Sequence, residues 1–377
     1  MGRGLPDHVG LQRPGDPYPG CALDGRGPVP RAEVVVVAPD YADNVKFADE
    51  WLSAQPGTDG ALAMAMGHVI LKEFFVDRTT PRFVDYVRRY TDLPFLVSLE
   101  PHDDGTYRLG KFLTAADLGH AGEHAAFKPV VWDDAGGTPA VPNGSVGFRW
   151  GEADEGRWNL DLTGIEPALG YPTTDETVEV ALPRFDAAAP GVLRRGVPVR
   201  WVHGHLTTTV YDLMLAQYGV ARPALPGQWP TGYDDADEPY TPAWQEPITG
   251  VPALACARIA REFAGNADRS GGRSMILMGA GTNHWFHSDT IYRAMLALTT
   301  LTGCQGVNGG GWAHYVGQEK VRPITGYSAL ATAADWNRPA RQMIQTAYGT
   351  CTPTSSGTTT SAPTRWRRPP PAARSPG

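Results

Sequence analysis

The clearest hydrophobic pattern in the chain is a run of four valines at residues 34–37, which ends at Ala38, Pro39 and Asp40. A β-branched run without polar alternation is typical of a strand that is buried on both faces of a parallel sheet. We therefore predict such a strand here. Asp40 would lie at its carboxyl end, where open α/β sheets place ligand contacts, although an acid at this position also serves as a helix cap.

Helical periodicity follows this strand. Apolar residues between positions 60 and 75 recur at the spacing of one helix face, which predicts a long helix after a turn at Gly57, Thr58 and Asp59. Thr58 or Asp59 would cap this helix, and capping alone explains both residues. Residues 86–100 then predict the end of a second helix, a turn and another strand.

The pattern loosens between residues 101 and 202, where charged turns, short alternating runs and many glycines occur. Such a sequence predicts a β-rich or irregular excursion from the main α/β body. Four histidines lie in this region or just after it: His120, His124, His203 and His205. Their spacing suits a metal ion, but no carboxylate or cysteine completes a recognisable site, so solvated histidines are the favoured interpretation.

A second strand-loop-helix unit is predicted in the last third of the chain. It follows a strand-to-helix segment, a proline-rich linker and a helix, at residues 206–218, 222–242 and 248–267. The unit itself has a buried strand at residues 275–278, a loop with Gly281, Asn283 and His284, and a helix over residues 288–301. The loop does not complete GxGxxG, so it is too weak a signal to indicate a nicotinamide site.

The most distinctive stretch is residues 308–323, NGGGWAHYVGQEKVRP. Consecutive glycines let the backbone adopt positive φ and approach a ligand closely. Flat rings and hydrogen-bonding tips follow them, which suits a large, polar, heteroaromatic ligand, and a flexible surface loop is the alternative. The candidate residues in this stretch are Gly309, Gly310, Gly311, Trp312, His314, Gly317 and Gln318. We expect this loop and the loop at residues 279–284 to line one crevice at the carboxyl edge of the sheet.

Composition and charge narrow the function classes. The chain has 377 residues, of which 42% are hydrophobic and 19% charged, so it can bury a sizeable core. Its formal net charge of -7 argues against nucleic acid or an anionic membrane surface as the main partner, because either requires a basic face. No apolar run reaches the length of a membrane span. The four cysteines lie far apart, so we expect isolated thiols in a reducing compartment and no zinc or iron–sulfur site built from cysteine in this chain.

Both ends differ in composition from the middle of the chain. Residues 1–31 are rich in Gly, Pro, Arg and Asp and show neither hydrophobic period, and residues 350–377 have low complexity. We expect both segments to be disordered, or to be read out of frame from GC-rich DNA, which leaves residues 32–349 as the folded domain. A natural disordered tail is the alternative that composition leaves open.

Several phrases in the middle of the chain carry a family resemblance. They include DYVRRYTDLPFLV, GSVGFRWGE, TTVYDLMLAQYGV, RSMILMGAGTNHWFHSD and GGGWAHYVGQEKVRPITG. Together they closely resemble the alpha (catalytic) subunit of membrane-associated respiratory nitrate reductase, over residues 32–348. The PGTD turn and the paired glycine loops are similar to the wider molybdopterin oxidoreductase superfamily. The resemblance implies an α/β fold of parallel-sheet βαβ units of that type, with the β-rich excursion inserted.

The resemblance also implies which residues hold a cofactor. In that superfamily, two molybdopterin guanine dinucleotides hold one molybdenum. Pro39, Asp40, Gly57, Thr58 and Asp59 match guanine and ribose contacts, and the carboxylate of Asp59 can accept two N–H bonds from a guanine edge. The other matches would pass close to the pterin and its phosphates, with glycines permitting the approach: Gly281, Asn283, His284, Gly309, Gly310, Gly311, Trp312, His314, Gly317 and Gln318.

The implied reaction is the reduction of nitrate to nitrite, with electrons from quinol through iron–sulfur clusters. The implied partners are an iron–sulfur beta subunit, indirectly a membrane gamma subunit, and an assembly chaperone, in the cytoplasm or at the cytoplasmic face of a membrane. The family's molybdenum-ligating aspartate and cluster ligands precede the first matched segment, so we expect no metal ligand and no assignable catalytic residue here, and a chain that is inactive alone. The alternatives are an inactive remnant that binds only the chaperone or the beta subunit, and a related enzyme acting on chlorate or selenate.

Overall fold

The valine run forms a strand inside a five-stranded sheet. The computed structural model describes residues 7–11, 32–41, 45–122, 124–142, 161–184 and 191–314. All of these residues belong to one unit, Met1–His314. The strands of the first sheet are β1 (Asp7–Leu11), β2 (Glu33–Val37), β3 (Glu50–Leu52), β12 (Ser274–Met278) and β13 (Gly311–His314), numbered in chain order.

Four strands of this sheet run in the same direction. The strand order is β13-β12-β1-β2-β3. β2 pairs with β3 and β12 with β13 in parallel, whereas β1 is antiparallel to both β2 and β12. The carboxyl ends of β2, β3, β12 and β13 therefore lie at one edge of the sheet, which is the edge where α/β proteins bind ligands.

The central strand β1 lies inside residues 1–31, for which we predicted no regular structure, so the structure differs from that expectation at Asp7–Leu11. Five residues are too few for a hydrophobic period to be visible in the sequence. Pairing with a strand on each side supplies the backbone hydrogen bonds that order this segment.

The prediction that β2 is buried on both faces is confirmed. Val35 and Val37 belong to the main hydrophobic core, whereas Val36 packs on the opposite face in a small cluster with Ala38 and Val45. Val35 and Val36 have no exposed surface. A β-branched run with no polar alternation has this double burial because both of its faces are apolar.

Helices cover the first sheet and supply most of the main core. They are α1 (Asp59–Leu71), α2 (Pro81–Tyr90), α4 (Pro242–Thr249), α5 (Ala253–Ser270), α6 (Ala280–Asn283) and α7 (Ser288–Leu301), and α1 continues into a π-helical segment, Lys72–Val76. The helices predicted at residues 60–75 and 288–301 are confirmed. The helix predicted over residues 248–267 begins later, because Gly250 ends α4 with φ 78° and Pro252 precedes α5. None of the helices in the described part of the chain combines the length and apolar character that a membrane crossing needs.

The predicted β-rich excursion forms a second sheet of six strands, ordered β10-β11-β4-β5-β8-β9. Its strands are β4 (Leu96–Pro101), β5 (Tyr107–Phe112), β8 (Thr177–Arg184), β9 (Gly191–Pro198), β10 (Arg200–Val202) and β11 (His205–Thr209). A separate hairpin consists of β6 (Val131–Asp133) and β7 (Thr138–Ala140), and α3 (Val210–Gln217) follows β11 directly, as predicted. Apolar residues of this sheet pack against α3 and α4 in a second core cluster.

A fully buried arginine joins this sheet to the proline-rich linker. The Arg195 side chain in β9 has 0% exposure. Its guanidinium donates to the carbonyl of Ala216 at 2.8 Å, near the end of α3, and to the linker carbonyls of Gln228 at 2.9 Å and Pro239 at 3.0 Å. It also contacts the Glu238 carboxylate at 3.2 Å. The Arg195 guanidinium therefore connects β9 to the end of α3 and to the proline-rich linker through hydrogen bonds.

A second arginine connects the ends of two helices. Arg82 in α2 donates to the carbonyl of Gly271 at 2.8 Å, just after α5. The same guanidinium donates to the carbonyls of Thr302 at 3.0 Å and Gly303 at 2.6 Å, just after α7. Carbonyls at a helix carboxyl end have no partner within the helix, so Arg82 serves as a shared cap for α5 and α7.

Acid is expected to destabilise the fold through His68 in α1. This side chain is 3% exposed, its Nδ1–H donates to the Tyr218 carbonyl at 2.7 Å, and burial lowers its pKa from 6.5 to about 4. An unfolded histidine is protonated below pH 6.5, whereas His68 stays neutral until about pH 4, so protons favour the unfolded chain in this window. We expect His68 to account for a loss of about 3 kcal/mol between neutral pH and pH 4.

Urea unfolding of the full chain across this pH range measures the loss. The His68→Gln variant keeps an N–H donor for the Tyr218 carbonyl but has no group that titrates between pH 4 and 6.5. Its stability should therefore fall less with acid than that of the parent chain. Equal slopes for the two proteins would assign the acid sensitivity to other groups.

Candidate functional site

The carboxyl edge of the first sheet gathers three of the predicted segments. Pro39 and Asp40 are exposed just after β2. The turn at residues 57–59 follows β3 and leads into α1. Gly281, Asn283 and His284 follow β12, within α6 and at its end. The strand directions place these segments on the same side of the sheet.

The N-cap residue of α1, Thr58, makes no side-chain hydrogen bond to the helix. Thr58 occupies the N-cap position, but its hydroxyl donates to the Gln55 carbonyl at 2.7 Å and accepts no bond from a helix N–H. Asp59 is the first residue of the helix. Thr58 is therefore at the predicted N-cap position, but its hydroxyl is used within the preceding turn and does not cap the helix. The amide N–H groups that open a helix attract anionic groups such as phosphates.

An indole ring brings the turn before α1 into contact with the loop after β12. A Cβ placed on Gly57 would lie 2.9 Å from Cε2 of Trp285, so the indole occupies the space beside this glycine. Gly57 has φ +80°, in the region that favours glycine. One turn further on, Gly60 faces Ile291 of α7 at 3.5 Å from the same kind of Cβ position. The first turn of α1 and the start of α7 are thus neighbours.

The loop after β12 also holds a buried acceptor. The Oδ1 atom of Asn283 is inaccessible to solvent and has no hydrogen-bond partner among the described residues. The preceding Thr282 is buried, and its hydroxyl donates to the Gly279 carbonyl at 2.9 Å, which closes the short helix. A desolvated amide oxygen without a donor costs free energy, and a ligand N–H group at this position would recover it.

An aromatic cluster connects α7 with β13. The Tyr292 hydroxyl is 3.1 Å from Nδ1 of His314, and the rings of Trp312 and His314 are stacked with centroids 5.7 Å apart. The Tyr292 ring meets the Trp312 ring edge-on at 5.4 Å. The indole Nε1 of Trp312 is buried and has no acceptor among the described residues. This second unpaired buried atom is a donor, complementary in kind to the Asn283 oxygen.

The triple glycine lies elsewhere, at the opposite edge of the sheet. Gly311 is the first residue of β13 and pairs with Met275 near the start of β12. A Cβ on Gly310 would overlap the backbone carbonyl of Gly272, which precedes β12. Gly309 and Gly310 enter β13 from that amino edge. The expectation that both glycine loops line one crevice is therefore wrong, because a strand parallel to β12 begins where β12 begins.

β13 nevertheless returns the chain to the carboxyl edge. His314 pairs with Met278, the last residue of β12, so it lies about 10 Å along the sheet from Gly311. Trp312 lies between the two edges. Gly317 and Gln318 fall outside the described residues.

The described residues were also compared with the side-chain groupings that hold metal ions in proteins. No group of three or more His, Cys, Asp or Glu side chains among these described residues is arranged to hold a metal ion. Cys256 and Cys304 are buried free thiols, and burial raises the pKa of both.

Two aromatic residues of this region were not among the predicted site residues. Trp285 and Tyr292 take part in the contacts that join the loops, and both lie within the strand-loop-helix unit that the sequence did predict. The signal was the aromatic sequence His284-Trp285-Phe286-His287 directly after a glycine loop.

Comparison with known proteins identifies relatives over most of the chain. The profile of the family described as "Molybdopterin oxidoreductase" matches residues 22–356. A nitrate reductase alpha subunit of Mycobacterium tuberculosis is 59% identical over 325 residues, which cover 84% of this chain and 26% of the relative. The respiratory nitrate reductase 1 alpha chain of Escherichia coli is 47% identical over 340 residues, covering 84% and 27%.

A relative with a different named substrate is more distant. The perchlorate reductase alpha subunit of Dechloromonas aromatica is 32% identical over 315 residues, covering 79% of this chain and 27% of that subunit. The chain thus spans about a quarter of the length of the curated relatives it matches.

Proposed function

Because the chain belongs to the molybdopterin oxidoreductase family, we propose that its carboxyl edge binds the nucleotide part of the family's molybdenum–molybdopterin cofactor, in the guanine dinucleotide form. The contact between Trp285 and Gly57 is the observation that carries this proposal. It joins the start of α1 to the loop that contains the unpaired Asn283 oxygen. Residues 32–349 are the proposed extent of the domain.

The hydrogen-bonding groups of the described residues are of the types that such a cofactor requires. The Asp59 carboxylate offers two acceptor oxygens for the N–H groups of a guanine edge, and Pro39, Asp40, Gly57 and Thr58 form the surface around the base and ribose. The N–H groups that open α1 suit the pyrophosphate.

The pterin part would use the unpaired buried atoms. Asn283 Oδ1 accepts an N–H bond, and Trp312 Nε1 donates one to a ring nitrogen or carbonyl. Gly281 permits close approach of the backbone, and His284 and His314 lie nearby at the same edge. Gly309, Gly310 and Gly311 serve to pack β13 against the start of β12. When bound, the cofactor supplies the two-electron abstraction of an oxygen atom, and the protein supplies binding and orientation.

Nitrate is the proposed substrate of the complete enzyme to which this sequence corresponds. The nitrate reductase alpha chains from Mycobacterium tuberculosis, Bacillus subtilis and Escherichia coli are 59%, 51% and 47% identical to this chain, against 32% for the perchlorate reductase subunit. We propose that the enzyme works with an iron–sulfur beta subunit and a membrane gamma subunit at the cytoplasmic face of a membrane, after assembly by a chaperone.

Binding of GDP tests the nucleotide proposal, because GDP carries the guanine and pyrophosphate without the pterin. We expect the full chain to bind GDP more tightly than ADP. Asp59→Asn should weaken GDP binding by about tenfold and leave ADP binding unchanged, because asparagine replaces one acceptor with an N–H₂ group that opposes the guanine donors. Isothermal titration calorimetry measures both affinities.

Asp268→Asn provides the matched control. Asp268 is an exposed acid on α5, so the same loss of charge there should leave GDP affinity unchanged. Equal affinity of the parent chain for GDP and ADP would contradict a guanine site. An Asp59→Asn variant that binds GDP as the parent does would contradict the role of this carboxylate.

A further inference from the structure

Trp285 stands out because it connects two loops that the sheet keeps apart. It follows α6 and precedes α7, after strand β12, whereas Gly57 follows strand β3. β1 and β2 separate β12 from β3 in the sheet order, so the two strand ends are roughly 14 Å apart at the usual spacing of neighbouring strands. The indole closes this distance through a side chain.

The contact leaves no free space on the glycine side. The Cε2, Cδ2 and Cζ2 atoms of Trp285 would lie 2.9, 3.0 and 3.1 Å from a Cβ on Gly57. A side chain at position 57 would therefore push the indole away. The positive φ of Gly57 would add strain for any L-residue there. Glycine and tryptophan at these two positions are matched in shape.

The exposure of Trp285 argues that its role is not core packing. The side chain is 45% exposed, and the next residue, Phe286, is 93% exposed. A half-exposed indole contributes less to folding than a buried one, because much of its apolar surface stays in water. The indole lies between the loop after β12 and the turn before α1, beside Gly57.

We propose that Trp285 is a positioning residue that holds the guanine-binding turn at a fixed distance from the Asn283 loop, so that one dinucleotide contacts both. This inference rests on the proposed function for the nature of the ligand. Loops that are already in their bound arrangement lose less conformational entropy when the ligand binds. Trp285 thus affects nucleotide affinity indirectly, by holding the turn at Gly57 in place. It has no role as a proton donor or proton acceptor toward the nucleotide.

The test combines affinity with local hydrogen exchange in the full chain. We expect Trp285→Ala to weaken GDP binding by about tenfold, through looser loops, while the midpoint of urea unfolding stays close to that of the parent. Amide exchange in residues 53–60 should become faster in Trp285→Ala without any ligand. Trp285→Phe keeps a flat ring beside Gly57 and should restore most of the affinity and the slow exchange. Trp201→Ala removes a Trp that is 63% exposed in β10 and should change neither quantity.

The outcomes separate this inference from the proposed function. If the parent chain fails to bind GDP, the nucleotide proposal is wrong, and exchange without ligand still decides whether Trp285 fixes the turn. If GDP binds and Trp285→Ala matches the parent in affinity and in exchange, the positioning role is wrong. A large fall in the urea midpoint of Trp285→Ala, with affinity restored by no variant, would make Trp285 a residue of general stability and overturn the inference as well.

Discussion

Replacing Arg195 with methionine is expected to lower the free energy of unfolding by about 4 kcal/mol. The guanidinium is fully buried, and its loss would leave the carbonyls of Ala216, Gln228 and Pro239 without this donor in the interior. The Glu238 carboxylate would lose its cation. Buried acceptors without donors are costly, and methionine fills the volume without supplying any N–H group. Urea unfolding followed by tryptophan fluorescence measures the change.

The neighbouring residue offers a matched control. Arg194 lies next to Arg195 in β9, but its side chain is 48% exposed and pairs with Asp104 at 2.9 Å on the surface. An exposed ion pair contributes about 1 kcal/mol or less, so Arg194→Met should change stability little. Similar losses in the two variants would show that the strand itself, and not the buried guanidinium, determines the result.

Gly310→Ala is expected to cost about 3 kcal/mol or more in stability, a loss typical of a steric clash with backbone. The new Cβ would overlap the Gly272 carbonyl and crowd the Cys304 carbonyl at 3.1 Å. Because both contacts are backbone atoms, no side-chain rotation relieves them. β13 would have to move away from β12, and the aromatic cluster around Trp312 would move with it. Urea unfolding and the near-UV circular dichroism of the full chain report both effects.

Gly122→Ala is the control for this substitution. Gly122 has no neighbouring atom within 4 Å of a Cβ, so alanine there should be close to neutral. If Gly310→Ala kept the stability of the parent and lost only GDP affinity, the triple glycine would be a ligand loop after all. That result would reverse the placement of these glycines at the amino edge.

The local hydrophobic pattern was sufficient to predict those helices and strands whose burial is visible in their own sequence. The valine run predicted β2 and its double burial, and the apolar spacing over residues 288–301 predicted α7 with its observed limits. The β-rich excursion was also predicted, since charged turns and short alternating runs rarely form anything but strands and loops. The α/β fold with its parallel units is confirmed.

The parts that could not be predicted depend on contacts across the sheet. Nothing near Gly309 in the sequence shows in which direction β13 runs, and that direction decides at which edge the glycines lie. The contact between Trp285 and Gly57 joins positions more than two hundred residues apart. β1 likewise becomes an ordered strand partly through its pairing with β12, which lies far along the chain. The hydrophobic pattern of the sequence identifies the helices and strands. Which strands become neighbours, and in which direction they run, depends on contacts between distant parts of the chain.

Because Arg82 caps both α5 and α7, these two helix ends gain this cap only late in the synthesis of the chain. Arg82 precedes Gly271 by 189 residues and Gly303 by 221 residues. A ribosome adds about 5–20 residues per second, so α2 waits roughly ten seconds or longer before its acceptors are synthesised. Until then the guanidinium lacks these acceptors, and the Gly271 carbonyl after α5 lacks this donor until α5 meets α2. The carboxyl ends of α5 and α7 are therefore completed late in synthesis, by a residue that left the ribosome early.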